Sequence, residues 1–219
     1  MSPYRQYLES GFCEKEISQY IEKILKHGDV FVYVGANSGY YSLLASSIVG
    51  DTGRVYAFEP HPQTFKRFVR NLKLNEISNV EAFNVALFSY DGAGILNVSK
   101  SSDGLNSMKT IPFIRETIAI NVKKLDSVLP KNYCNVIKID AEGSELDIIR
   151  GAFKTLTSSV PLNIIYEIDR HSAGAQLVID ELKSMGFISF TVENTERSKE
   201  IARAEDIPKG VYNIVAFKG

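Results

Sequence analysis

Ten residues constrain this chain more than any others: Val30-Phe31-Val32-Tyr33-Val34-Gly35-Ala36-Asn37-Ser38-Gly39. The first five are apolar, rich in β-branched and aromatic side chains, and read as a buried strand. Gly35 and Gly39 then bracket a turn, and Leu43, Leu44 and Ile48 open the apolar face of a helix. Strand, glycine turn and helix in this order aim backbone N–H groups and a helix N-terminus at a ligand. Glycine is needed where a Cβ would block the turn or the ligand's approach. The same pattern also builds an ordinary βα connection, so the next strand decides. Arg54-Val55-Tyr56-Ala57-Phe58-Glu59 is mostly apolar and stops at an acid before Pro60. A carboxylate there, about twenty residues after the glycine turn, suits the hydroxyls of a ribose. The glycines are spaced G-x-x-x-G rather than G-x-G-x-x-G, so a nucleoside without a pyrophosphate fits better.

The rest of the chain extends the alternation. Residues 14–25 place Ile17, Tyr20, Ile21, Ile24 and Leu25 at helical spacing, predicting a helix that packs on the sheet edge or roofs the ligand site. Pro62 suits a first helical turn. Phe65, Phe68, Val69 and Leu72 share one face of that helix, with Lys66, Arg67, Arg70 and Lys73 on a solvated one. Val80–Leu87 is a third strand. A β-α-β-α-β run with right-handed crossovers makes a parallel, twisted sheet with helices on both faces.

Residues 89–121 are turn-rich and break the rhythm, with strands at Ile95–Val98 and Thr117–Val122. An insertion of this kind is where a binding loop sits, and Asp103, Asn106 and Ser107 are its substrate-facing candidates. Val136-Ile137-Lys138-Ile139-Asp140 and Leu162-Asn163-Ile164-Ile165-Tyr166-Glu167 are further strands that end in acids. Between them a helix presents Leu146, Ile149, Ala152 and Phe153, with Ser144 and Asp147 at capping-box spacing. A helix over 173–185 turns Leu177, Val178, Leu182 and Met185 inward. Phe187–Val192 and Tyr212–Phe217, joined by the polar stretch 193–209, predict an antiparallel pair at the C-terminal edge of the sheet.

Glu59, Asp140 and Glu167 therefore share the C-terminal ends of parallel strands, the ligand edge of an open α/β sheet. A lone acid there also serves as a helix cap; three on one edge are harder to assign to capping. Asp140, Glu142 and Glu167 carry the oxygen ligands a divalent cation takes, but no histidine is adjacent and no metal is expected. The 219 residues suit a single domain over 1–219, with an N-terminal helical segment at 1–28 and the inserted excursion at 89–121. A formal net charge of −1 speaks against non-specific nucleic-acid binding. Cys13 and Cys134 form no metal spacing. Met1–Arg5 lacks the apolar core of a signal peptide, and no apolar run is long enough to span a bilayer. The expectation is a reduced, cytoplasmic protein acting on a small molecule.

Val34-Gly35-Ala36-Asn37-Ser38-Gly39-Tyr40-Tyr41, Ala57-Phe58-Glu59-Pro60 and Lys138-Ile139-Asp140-Ala141-Glu142-Gly143-Ser144-Glu145-Leu146 resemble the FkbM-type methyltransferase family in content, order and spacing. The resemblance covers most of residues 29–219. It implies a Rossmann-like class I methyltransferase fold using S-adenosylmethionine, and O-methylation of a hydroxyl on a sugar, glycolipid or polyketide-like acceptor. By position, Gly35, Ala36, Asn37 and Gly39 would line the methionine and ribose part of the cofactor. Glu59 would take the ribose hydroxyls, and Asn84, Val85 and Ala86 would hold adenine. Asp140 would stand near the transferable methyl, and Asp140 and Glu167 are the catalytic candidates. One departure is Tyr33, where the family has an acid that helps fix the methionine ammonium; Asp140 or a backbone carbonyl would have to compensate. Two other readings stay open. A nucleoside- or S-adenosylmethionine-binding module without catalysis is consistent with Tyr33. A nicotinamide-dependent oxidoreductase is disfavoured by the missing G-x-G-x-x-G.

Overall fold

A computed structural model describes residues 14–101, 103–110, 112–210 and 212–219, and of Asp103 the backbone only. Cys13 and the first half of the N-terminal segment lie outside the described residues. Helix α1 (Lys15–Ile24) precedes β1 (Val30–Val34), which leads through the glycine turn into α2 (Tyr40–Val49). Next come β2 (Arg54–Phe58), α3 (Pro62–Leu74) and β3 (Val80–Phe83). Pro62 stands at the start of α3, and His61 caps it through Nδ1, which accepts the N–H of Thr64. The excursion carries β4 (Ala86–Leu87), β5 (Gly92–Ser99) and β6 (Ile114–Lys123). After the short α4 (Leu125–Val128), the chain continues as β7 (Val136–Ile139), α5 (Glu145–Gly151), α6 (Phe153–Ser158) and β8 (Leu162–Glu167). It closes with α7 (Ala175–Ser184), β9 (Ile188–Glu193), β10 (Glu196–Ile201) and β11 (Asn213–Lys218).

The main sheet has the order β10-β9-β11-β8-β7-β1-β2-β3, and β8, β7, β1, β2 and β3 run parallel. Alternation along each strand feeds two cores. Val32, Val34, Ile137, Ile139, Ile164 and Tyr166 pack with Ile148, Ile149, Leu156, Val178 and Leu182 from α5, α6 and α7. Phe31, Tyr33, Val55 and Ala57 pack on the other face with Ile17, Tyr20 and Ile21 of α1, Tyr41 and Ala45 of α2, and Phe68 and Leu72 of α3. So α1 buries its apolar stripe in the second core, as its spacing predicts.

Several expectations are corrected. The predicted strand 80–87 splits: β3 stays in the main sheet, while β4 pairs with β6 in a separate three-stranded sheet. β9 and β11 form the antiparallel pair expected at the C-terminal edge of the sheet, with β11 between β8 and β9. Ile214, Val215 and Ala216 are fully buried, which only an interior strand allows. The rim is β10, whose Glu196, Arg197, Ser198, Lys199 and Glu200 are all exposed; a charged edge strand resists pairing with other chains, and it reads as a polar linker. Phe153 and Leu177, expected inward, are exposed. The Ser144–Asp147 capping box does not form: Ser144 makes no cap bond, the Gly143 N–H goes to the Glu145 carboxylate, and Asp147 pairs with Lys109.

Candidate active site

Parallel register aligns the strand ends. Val34 lies opposite both Phe58 and Ile139, and Ile139 lies opposite Tyr166. The next residue on each strand is Gly35, Glu59, Asp140 or Glu167, so one sheet edge collects all four. Above it opens a cavity of about 540 Å³, lined among others by Gly35, Ala36, Asn37, Glu59, Val85, Ala86, Asn106, Ser107, Asp140 and Glu167.

The glycine turn is shaped by close approach. At Gly35, with φ of +81°, a Cβ would stand 1.8 Å from the Asp140 carbonyl oxygen. Four of the turn's N–H groups are committed inside the protein. Those of Gly35 and Ala36 donate to the Phe58 carbonyl, that of Asn37 to Glu59 Oε2, and that of Gly39 to the Ala36 carbonyl. The expected cradle of N–H donors is thus replaced by a donor-poor wall, which suits a ligand without phosphates. Glu59 is buried, and its two oxygens each accept a backbone N–H, from Asn37 at 2.9 Å and from His61 at 2.8 Å. A carboxylate oxygen can accept a further bond, so this fixed group suits a vicinal diol.

Two candidates stand elsewhere. Gly39 does not line the cavity; a Cβ on it would strike the Phe68 ring at 2.3 Å, so it lets α2 and α3 pack closely. Asn84 donates to the carbonyls of Glu59 and Pro60 and borders a smaller cavity, positioning the Glu59 loop from behind. The side chain of Asp103 lies outside the described residues.

The excursion closes the cavity from above. Asn106 Oδ1 accepts the Ser99 N–H, which leaves its Nδ2 as a buried donor without a partner among the described residues. The Ser107 hydroxyl donates to the Glu142 carbonyl at 2.7 Å and so ties the excursion to the turn after β7. Ser144 also lines the cavity, with its hydroxyl buried and unpartnered.

The β7 side holds a concentration of acids around one cation. Lys138 is fully buried, with Nζ 3.2 Å from Asp140 and 3.9 Å from Glu14. Burial alone would push its pKa down, but Asp140, Glu14 and Glu167 outweigh that and hold it above the ordinary lysine value. Asp140 thus pairs with a buried ammonium. Burial, and then repulsion from Asp140, push Glu167 up to about 8 and Glu142 up to about 7. Among the described residues, no three His, Cys, Asp or Glu are placed to hold a metal ion. No described helix is long and apolar enough to cross a membrane.

Sequence reasoning missed Glu14, Tyr41 and Lys138. A lysine inside Val136–Ile139 is a visible anomaly in a buried strand. Glu14 carries no such signal, because only the tertiary fold brings it to the cavity.

With this geometry in hand, comparison with known proteins is decisive. The Methyltransferase FkbM domain family matches residues 34–189. This chain belongs to that family. It is 29% identical to Methyltransferase 1 of Beauveria bassiana, a match covering 66% of this chain and 68% of that protein. It is 27% identical to the hexuronic acid methyltransferase AglP of Haloferax volcanii, covering 66% of this chain and 59% of that one. The solved FkbM methyltransferase of Methylobacillus flagellatus superposes with a TM-score of 0.57 at 14% identity, over 92% of this chain and half of that one. The fold is the class I methyltransferase fold, and the chain is a methyltransferase of the FkbM family.

Proposed function

We propose that this FkbM-family chain uses S-adenosylmethionine to methylate a hydroxyl on a small hydroxylated acceptor of the sugar, glycolipid or polyketide kind. The observation that carries the reading is a single cavity running from Glu59 and the glycine turn to Asp140 and Glu167, walled by the excursion. The residues fit that cofactor. Glu59 is held to receive a diol, and four of the turn's N–H groups are already bonded within the protein, which leaves few donors for a phosphate. Gly35, Ala36, Asn37 and Glu59 would hold its nucleoside side, with Val85 and Ala86 at the adenine. When bound, the cofactor supplies an electrophilic methyl group.

The chain's own contribution is alignment and proton handling. Asp140 projects from a strand end and is steadied by Lys138 at 3.2 Å, the firm placement that alignment of two reactants needs. It orients the acceptor hydroxyl and receives its proton late, since a carboxylate is a weak base toward an alcohol. Glu167, pushed up to about 8, is the stronger base once ionised. Asn106, Ser107 and the excursion recognise the acceptor. The name of AglP supports a sugar-type acceptor.

Calorimetric titration with S-adenosylmethionine, with NAD as control, tests the cofactor. Methyl transfer from labelled cofactor to a panel of hydroxylated acceptors tests the reaction. Asp140→Asn is expected to lower turnover by about 10²–10⁴-fold, well beyond any loss of cofactor affinity. A folded Asp140→Asn variant with normal turnover refutes the role of Asp140, and binding without transfer to any acceptor favours the non-catalytic module.

A further inference from the structure

Strands β1 and β7 place Tyr33 and Lys138 opposite each other in register. The Lys138 ammonium therefore lies 5.8 Å from the Tyr33 ring and 4.9 Å from the Tyr41 ring. An aromatic face attracts a cation but supplies no full negative charge, and a buried ammonium needs one. Asp140 provides the first carboxylate, and Glu14 the second. Glu14 is anchored for this place. The helix behind it buries Ile17, Tyr20 and Ile21 in the core. Its own carboxylate accepts the Tyr41 hydroxyl on Oε2 at 2.7 Å and the Asn213 amide on Oε1 at 3.0 Å. Its backbone takes φ of +45°, in the left-handed region, a conformation that costs a non-glycine residue and persists where surrounding structure enforces it.

Glu14 also lines the main cavity, together with Tyr33, Gly35, Tyr41, Asp140 and Glu167. Sheet order β7-β1-β2 puts Glu59 on one side of the glycine turn and the Lys138–Asp140–Glu14 group on the other. A nucleoside ligand with its ribose on Glu59 therefore extends its remaining end toward Glu14. Two carboxylates, Glu14 and Asp140, face one lysine ammonium there, with Glu167 beside them held largely protonated, so the cluster keeps an excess of negative charge for a second cation. Glu14 and Asn213 both lie outside the residues 34–189 matched by the family.

We infer that Glu14, from the segment ahead of α1, is the carboxylate that holds the α-ammonium of the cofactor, with Tyr41 and Asn213 positioning it. This rests on the S-adenosylmethionine reading above. It assigns Glu14 a direct part in the site, and β11 an indirect one through Asn213.

The test compares two probes by calorimetry: S-adenosylhomocysteine, and its deaminated analogue that lacks the α-ammonium. The parent chain is expected to prefer S-adenosylhomocysteine. Glu14→Gln keeps an amide that can still meet Tyr41 and Asn213 but removes the charge. It is expected to lose about ten- to a hundredfold in affinity for S-adenosylhomocysteine, with little change for the deaminated analogue. Glu14→Asp, which keeps the charge, is expected to fall between, and it carries the comparison if the glutamine variant does not fold. Equal losses for both probes, or none for either, overturn the assignment. A parent chain that binds neither probe overturns the cofactor reading itself, a result separable from failure of Glu14 alone.

Discussion

Glu59→Gln is the most informative single change, because Glu59 serves the fold and the ligand at once. Its carboxylate is buried, and each oxygen receives one backbone N–H, from Asn37 and from His61. A glutamine has one acceptor oxygen and one NH2 group. Whichever way the amide turns, one of the two N–H groups faces another donor and is left unpaired. A buried unpaired group costs about 1–3 kcal/mol. For a chain of this size that corresponds to a fall in Tm of about 2–12 °C. The ribose loses a charge-assisted acceptor, worth about 1.5–3 kcal/mol, or roughly ten- to a hundred-and-fiftyfold in affinity. Thermal unfolding followed by circular dichroism reads the first effect, and calorimetry with S-adenosylhomocysteine, run well below the lowered Tm, reads the second. A folded Glu59→Gln chain that binds with parental affinity refutes the ribose assignment. One with parental Tm refutes the structural account of the two N–H groups. Glu59→Ala is less clear, since it strips acceptors from both N–H groups and confounds binding with unfolding.

Two further predictions concern the β7 side and the turn. Glu142 and Glu167 have folded-state pKa values raised to about 7 and about 8. The folded chain thus holds protons that the unfolded chain releases near pH 4–5, and stability falls as pH rises through 8. Tm of the ligand-free protein is expected to decline between pH 5 and 8.5, and Glu167→Gln is expected to flatten that decline; a Tm that rises steadily over this window refutes the burial of these acids. Gly35→Ala places a Cβ 1.8 Å from the Asp140 carbonyl at a φ of +81°. It is expected to cost about 3 kcal/mol or more in urea unfolding, and a loss below about 1 kcal/mol would show that β1 and β7 are less closely apposed than described.

What could be read in the sequence, and what could not, divides along a physical line. The glycine turn, the acids at the ends of β2, β7 and β8, and the helical faces of α1 and α3 are local patterns. Once the strands are parallel and in register, Val34, Phe58, Ile139 and Tyr166 must end together, so three acids distant in sequence must share one edge. That step needs only period two along each strand and right-handed crossovers. The missed features depend on partners that sequence spacing does not encode. A G-x-x-x-G turn looks the same whether its N–H groups face a ligand or are committed to Phe58, Glu59 and Ala36. The family resemblance sets Asn84 at the adenine, yet its amide turns back to brace the Glu59 loop. β10 has no alternation to detect, because an exposed rim strand has no buried face to mark.

Glu14 is the sharpest case of this kind. In sequence it is one acid ahead of an amphipathic helix, and a first-turn charge is its natural reading. In the fold it meets Lys138 and Asn213, both from the far half of the chain. The tyrosine at position 33, taken alone, weakens the case for a bound cofactor. Set beside a buried lysine and a carboxylate brought in from elsewhere, it becomes a relocation of charge. The charge that the strand end at Tyr33 lacks is supplied from a residue nineteen positions earlier, ahead of α1. The measurement that settles the relocation is therefore the pairing of Glu14→Gln with loss of the ligand's own ammonium.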